Sequence, residues 1–221
     1  MNDFDLSTRW GRLWARLRYL WDDYAWLRLP RQNAHWVTDE FARSDQPWPF
    51  QLKRWRDRGI RTVVSLRGDP HKAHRRLEAA ACDELGLTLV DLELKSREAP
   101  TLQQVLDAKR VFETIEYPCL VHCKAGADRA GMAAVFYLHF RKGVPIAQAR
   151  QQLSRRFGHF RQGMTGVLDH VLDRYVADTA VSGENFLQWV SRPDYDVQAI
   201  KAGFKPTWIS GLITDVLLRR E

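Results

Sequence analysis

Residues 118–140 constrain this chain more than any other stretch. Pro118-Cys119-Leu120-Val121 is an apolar run of strand character, and the run from Arg129 to Phe140 is apolar, helical and closed by Lys142-Gly143. Between them lies His122-Cys123-Lys124-Ala125-Gly126-Ala127-Asp128-Arg129. A strand, a loop of small residues and a helix start aim several backbone N–H groups, and the positive helix end, at one spot. That spot suits a phosphate-sized dianion, with Cys123 at its entrance. Ala125, Gly126 and Ala127 let the backbone approach such a ligand closely.

The chemistry follows from charge. A free thiol near its reference pKa of about 8.5 is only a few per cent ionised at neutral pH, and helix N-termini or nearby cations lower that value to roughly 3.5–7.5. A thiolate formed in this way attacks phosphorus and gives a phosphocysteine intermediate. Arg129 offers a planar fork to two equatorial oxygens and keeps its charge at every relevant pH, a role lysine does not fill.

With these residues the segment resembles the His-Cys-x5-Arg loop of the cysteine-dependent tyrosine and dual-specificity phosphatases, and the likeness covers roughly residues 34–178. The resemblance implies an atypical member, with His122, Lys124, Ala125, Gly126, Ala127 and Ala130 lining the phosphate site around Cys123 and Arg129. Two positions depart from the pattern. Ala130 stands where these enzymes usually carry Ser or Thr, whose hydroxyl helps cysteine leave. Asp128 is unusual for protein-tyrosine phosphatases and similar to some inositol-lipid phosphatases. It either orients water or tunes the substrate, or else bonds loop N–H groups or faces solvent.

The family takes its proton donor from a loop before the helix that precedes the catalytic strand. In Leu94-Lys-Ser-Arg-Glu98-Ala-Pro100 the only carboxylate is Glu98, which makes it the first candidate, with Asp91 and Glu93 as alternatives. His122 is expected to fix the loop, Arg67 to add charge at the site mouth, and Asp69 to cap the following helix with Pro70 in its first turn. Gln162, in the Gly158–Gly163 loop, either positions water or belongs to a turn. His71 and His74 do not form a metal constellation, and neither metal nor cofactor is expected. Cys82, ahead of Cys119, is the candidate for a protective disulfide with Cys123.

Around this unit the pattern alternates. A helix over 8–27 and a hairpin around Trp36–Arg43 precede a helix Phe50–Arg58, a strand Ile60–Leu66, a helix Lys72–Leu85, a strand Leu87–Leu92 and a helix Thr101–Ile115. Helices over 145–157, 165–180, about 184–190 and a terminal pair follow. The fold class is therefore α/β: a central, mainly parallel sheet flanked by helices, phosphatase-like, with an N-terminal amphipathic helix and a C-terminal helical extension. The expected units are a basic Trp-rich segment 1–33, a phosphatase domain 34–180 and an extension 181–221.

The chain has 221 residues and a formal charge of +7, which favours anionic partners. Phosphorylated protein is the default substrate, and a phosphorylated lipid or sugar is the alternative. A pseudophosphatase that only binds phosphate is a third reading. No nucleic-acid module accompanies the charge. Three cysteines fit a reducing cytoplasm rather than a disulfide scaffold. Seven of the nine tryptophans precede residue 56. Those of the 8–27 helix share an apolar face, which either packs on the domain or rests on an anionic membrane, a peripheral location at the inner face. The tail Trp208–Arg220 repeats the pattern weakly.

Overall fold

In the computed structural model the described residues are 5–28, 32–68 and 70–206. The expectations for Asp69 and for the Trp208–Arg220 tail lie outside the described residues.

The sheet has five strands: β1 (His35–Trp36), β2 (Phe41–Ser44), β3 (Thr62–Ser65), β4 (Thr88–Asp91) and β5 (Cys119–His122), in the order β1-β2-β5-β3-β4. β1 pairs antiparallel with β2, as the hairpin signal predicts. The other pairings are parallel, so β2, β3, β4 and β5 all end on the same edge. β5 lies at the centre, with His122 level with Ser44 on one side and Ser65 on the other. Loops that bind a ligand belong at such carboxyl ends.

Side chains of the central strands alternate between two cores. Val64, Cys119 and Val121 join the larger cluster, which also takes Phe112, Met132, Phe136, Leu172, Phe186 and Ile200. Val63 and Leu120 join the smaller one with Leu52, Trp55 and Cys82. Helices α2 (Pro49–Asp57) and α3 (Ala73–Leu85) supply that second face. α4 (Leu102–Thr114), α5 (Asp128–Phe140) and α7 (Val167–Asp178) cover the first, and α8 (Phe186–Val190) and α9 (Val197–Gly203) extend it. Local signals explain the ends. Thr101 and Gln104 form a reciprocal cap on α4, and Gly86 closes α3 at φ 66°.

Two expected helices differ. The pattern over 145–157 breaks into one α turn, α6 (Ile146–Ala149), and two 3₁₀ turns, Arg150–Gln152 and Arg155–Phe157. Its apolar spacing is real, since Ile146, Ala149, Leu153 and Phe157 are all buried. The break frees the Gln152 carbonyl to accept from Arg43 Nη1 at 2.7 Å. The N-terminal helix α1 (Arg9–Asp22) ends before a separate 3₁₀ turn, Ala25–Arg28, because Tyr24 takes φ 51°. The face of α1 that packs carries Ala15 and Tyr19, while Trp10, Trp14 and Trp21 are exposed. The reading in which the tryptophans extend the core is therefore corrected.

Candidate active site

β5 delivers His122 and Cys123 to the carboxyl edge, and α5 begins five residues later. Cys123 is only 2% exposed, so its sulfur lies at the base of the loop. The Gly126 N–H donates to Cys123 Sγ at 3.2 Å, which brings the loop's backbone around the sulfur. Only glycine serves at that position. Gly126 has φ +72°, and a Cβ there would lie 2.5 Å from the Asp45 nitrogen and 2.7 Å from the Ser44 carbonyl carbon.

The loop's outer carbonyls are held by one arginine. Arg43, fully buried on β2, donates from Nη2 to Gly126 O at 2.9 Å and Ala127 O at 2.7 Å, and its guanidinium lies 4.3 Å from the Phe157 ring centroid. Burial pushes its pKa down to about 10, against the opposing fields of Cys123 and Asp128. Asn33 Nδ2 donates to both Ala125 O and Phe157 O at 2.9 Å, tying the same two segments. By holding carbonyls from outside, Arg43 and Asn33 leave the loop's N–H groups available to a ligand.

Below the loop, His122 Nε2 lies 2.7 Å from Glu78 Oε1, both side chains being 1% exposed or less. That approach is not aligned as a hydrogen bond, and His122 Nδ1 has no protein partner. Glu78 instead accepts from Gln46 Nε2 at 2.8 Å. Gln46 continues to Arg67 Nη1 at 3.0 Å, and Arg67 grips Asp23 with two bonds of 2.6 and 3.0 Å. Asp23 also lies 3.9 Å from Lys124 Nζ. Arg67 thus stands at the site mouth, already paired with the end of the N-terminal segment.

Asp128 occupies the first turn of α5 beside Arg129. Its Oδ1 lies 2.6 Å from His159 Nδ1, and His159 Nε2 lies 2.6 Å from Asp169 Oδ2 on α7. Burial disfavours charge on this imidazole, but the two carboxylates outweigh it and hold the pKa up at about 9. His159 in the 158–163 loop reaches Asp128 at the end of the Cys123 loop, and Gln162 of the same loop is exposed.

Arg129 opens onto a cleft of about 240 Å³ that is also lined by Arg67, Lys95, Arg97, Glu93 and Glu98. Glu98 is bound by Lys95 at 2.9 Å and Lys201 at 3.1 Å, and these hydrogen bonds hold its carboxyl below the usual range. Asp91 is turned to Arg75, which grips both its oxygens at 2.9 and 2.7 Å. Glu93 faces the cleft and makes no ion pair among the described residues.

Ala130 is fully buried in the larger core. All three cysteines are free thiols, and Cys82 packs in the smaller cluster while Cys123 belongs to the larger. Burial pushes the Cys82 thiol up to about 12, and Cys119 upward as well. Burial, with Arg67 next, lowers His74 to about 3. Among the described residues no group of metal-binding side chains occurs, and no helix is long and apolar enough to cross a membrane.

Comparison with known proteins agrees with this architecture. A family model, PTP-NADK, described as "DSP-PTPase phosphatase fused to NAD+ Kinase", matches residues 35–164. No curated protein sequence matches the chain. Among solved structures, P. aeruginosa TpbA is similar at 20% identity and TM-score 0.53, over 73% of this chain and 89% of that one. TpbA in complex with pTyr gives 20% and 0.51, over 67% and 91%. PTPMT1 in complex with PI(5)P gives 16% and 0.50, over 68% and 99%. At these identities the likeness is one of fold.

Proposed function

Because the chain belongs to the PTP-NADK family of DSP-PTPase phosphatases, within the cysteine-dependent tyrosine and dual-specificity phosphatase superfamily, we propose that it hydrolyses phosphomonoesters through a phosphocysteine at Cys123. The observation that carries this reading is the loop itself: a buried sulfur held by the Gly126 N–H, directly before a helix N-terminus and Arg129. The Cys123 thiolate attacks phosphorus, an S–P bond forms, and the bond from phosphorus to the leaving oxygen breaks. Arg129 holds two equatorial oxygens as their charge spreads. A carboxylic acid protonates the leaving oxygen, and as its carboxylate then takes a proton from the water that attacks phosphorus. The S–P bond breaks and the thiolate returns.

Glu93 and Glu98 both line the cleft, and Glu93 is better suited to donate that proton. Glu98 is kept ionised by Lys95 and Lys201 and would have to leave both. Asp91 is occupied by Arg75.

Phosphotyrosine in protein is the substrate that family membership supports first. The cleft supports a second reading. It is open and presents Arg67, Lys95, Arg97 and Arg129 around two carboxylates, which suits the anionic headgroup of a phosphorylated lipid or sugar. Turnover of an activated aryl phosphate by the wild type, lost in Cys123→Ser and in Arg129→Lys, is the expected result. Turnover that survives Cys123→Ser contradicts the reading. Phosphate binding with no Cys123-dependent turnover at any pH from mildly acidic to neutral would assign a binding module instead.

A further inference from the structure

α1 presents two opposite faces. Ala15 and Tyr19 are buried with Trp48 and Leu77, and the Tyr19 ring centroid lies 4.4 Å from that of Trp48. Arg12 adds an ion pair to Glu84 of α3 at 3.2 Å. On the other side Trp10, Trp14 and Trp21 are 73%, 59% and 71% exposed, with Leu13 and Leu17 exposed between them. With 3.6 residues per turn these five positions form one stripe about 100° wide, centred opposite Tyr19. Docking of α1 on the domain therefore leaves its most apolar face in the open, where a soluble surface rarely keeps a continuous patch.

The edges of the stripe identify what covers it. Arg9 and Arg16 flank one side and Arg18 the other, and α1 has no acidic residue before Asp22. Tryptophans bordered by arginines fit a lipid surface, where aromatic rings lodge at headgroup level and cations meet anionic lipid. A second copy of the chain fits less well, because two such stripes brought together would align arginines with arginines along both edges. The position of the helix adds a consequence. Asp23 follows the stripe by two residues, and it is the residue that grips Arg67 at the rim of the cleft. A surface seated on Trp21 lies within about one helix diameter of Asp23, roughly 10 Å. We infer that the tryptophan face of α1 docks the protein on an anionic lipid surface, with the cleft mouth beside that surface.

The test uses the full chain and vesicles of phosphatidylcholine with or without phosphatidylserine, read by sedimentation. Wild type is expected to bind the anionic vesicles, to bind zwitterionic vesicles less, and to release as salt rises. The variant Trp10→Ala/Trp14→Ala/Trp21→Ala should bind about tenfold less or weaker, with thermal melting and aryl phosphate turnover unchanged, since these side chains are exposed and outside the cleft. The variant Arg9→Glu/Arg16→Glu should lose the preference for anionic vesicles. Equal binding by wild type and the tryptophan variant overturns the inference, as does a wild type that ignores anionic vesicles at low salt. A wild-type dimer that the tryptophan substitutions convert to monomer, without vesicle binding, would assign the face to a second copy. Aryl phosphate turnover reports on Cys123 separately, so the catalytic reading and the docking inference fail independently.

Discussion

Asp128 and His159 are separated by 31 positions, yet Oδ1 of the first and Nδ1 of the second lie 2.6 Å apart beneath the start of α5. Asp169 completes the arrangement from the other ring nitrogen. An imidazolium between two carboxylates donates through both nitrogens, so Asp128 enters the 122–129 loop as a paired, oriented group. This cation offsets a negative charge that would otherwise oppose an incoming dianion.

The pH dependence of stability should report that cation. His159 is held up at about 9 against an unfolded value near 6.5, so its contribution is complete below 6.5 and is lost as pH rises through 9. Melting temperature measured from pH 6 to 10 should fall over that window in the wild type. His159→Gln should remove this slope and destabilise at neutral pH by about 3 kcal/mol, because two carboxylates remain without their cation. An identical slope in the variant would assign the pH dependence to other groups.

Arg43 holds the 122–129 loop from outside, and lysine has no fork with which to replace it. Arg43→Lys is expected to lower stability by about 3 kcal/mol, since a compact ammonium cannot serve three separated carbonyls. Denaturant unfolding gives that figure, and aryl phosphate turnover under folding conditions should also drop. Full activity in the variant would show that the loop keeps its shape without these bonds.

The proton donor can be assigned by leaving group. Glu93→Gln should slow hydrolysis of an alkyl phosphate far more than that of an activated aryl phosphate, whose leaving oxygen needs little help. Glu98→Gln should affect both alike and modestly, because Lys95 and Lys201 already occupy that carboxylate. The reverse pattern would return the role to Glu98.

Ala130 offers no hydroxyl to the departing sulfur, which leaves the Gly126 N–H as the donor seen at Cys123 Sγ. Breakdown of the phosphoenzyme should therefore limit turnover. Ala130→Ser is expected to raise steady-state kcat severalfold while leaving the first, pre-steady-state release of the aryl alcohol unchanged. An equal change in both phases would place the effect on phosphoryl capture.

The centre of this site was legible because it is continuous in sequence. An apolar run, a small-residue loop and a helix start specify the placement of Cys123 and Arg129 without knowledge of distant residues. Of the parallel strands, β3, β4 and β5 were legible for the same reason, each centred on a short apolar run, whereas β2, Phe-Ala-Arg-Ser, was visible only as part of a hairpin. Arg43, Asn33 and His159 were not. They reach the loop from 83, 92 and 31 positions away, and a buried polar partner declares itself only once packing has chosen it. A polar run, Arg43-Ser44-Asp45-Gln46, at the end of an apolar strand was the available signal. The helix expected over 145–157 failed on the same contact, since its buried spacing is helical while Arg43 draws off the Gln152 carbonyl. In α1 the periodicity was visible, but the docking face is set by Ala15 and Tyr19, which the tryptophans overshadow in sequence.

The most direct test of the central claim is mass spectrometry of the protein quenched in acid during turnover of an activated aryl phosphate. A phosphoryl adduct on the peptide carrying Cys123 is predicted, accumulating in the wild type and lessened by Ala130→Ser. Continued turnover with no adduct at Cys123, or with the adduct on another residue, would contradict the mechanism.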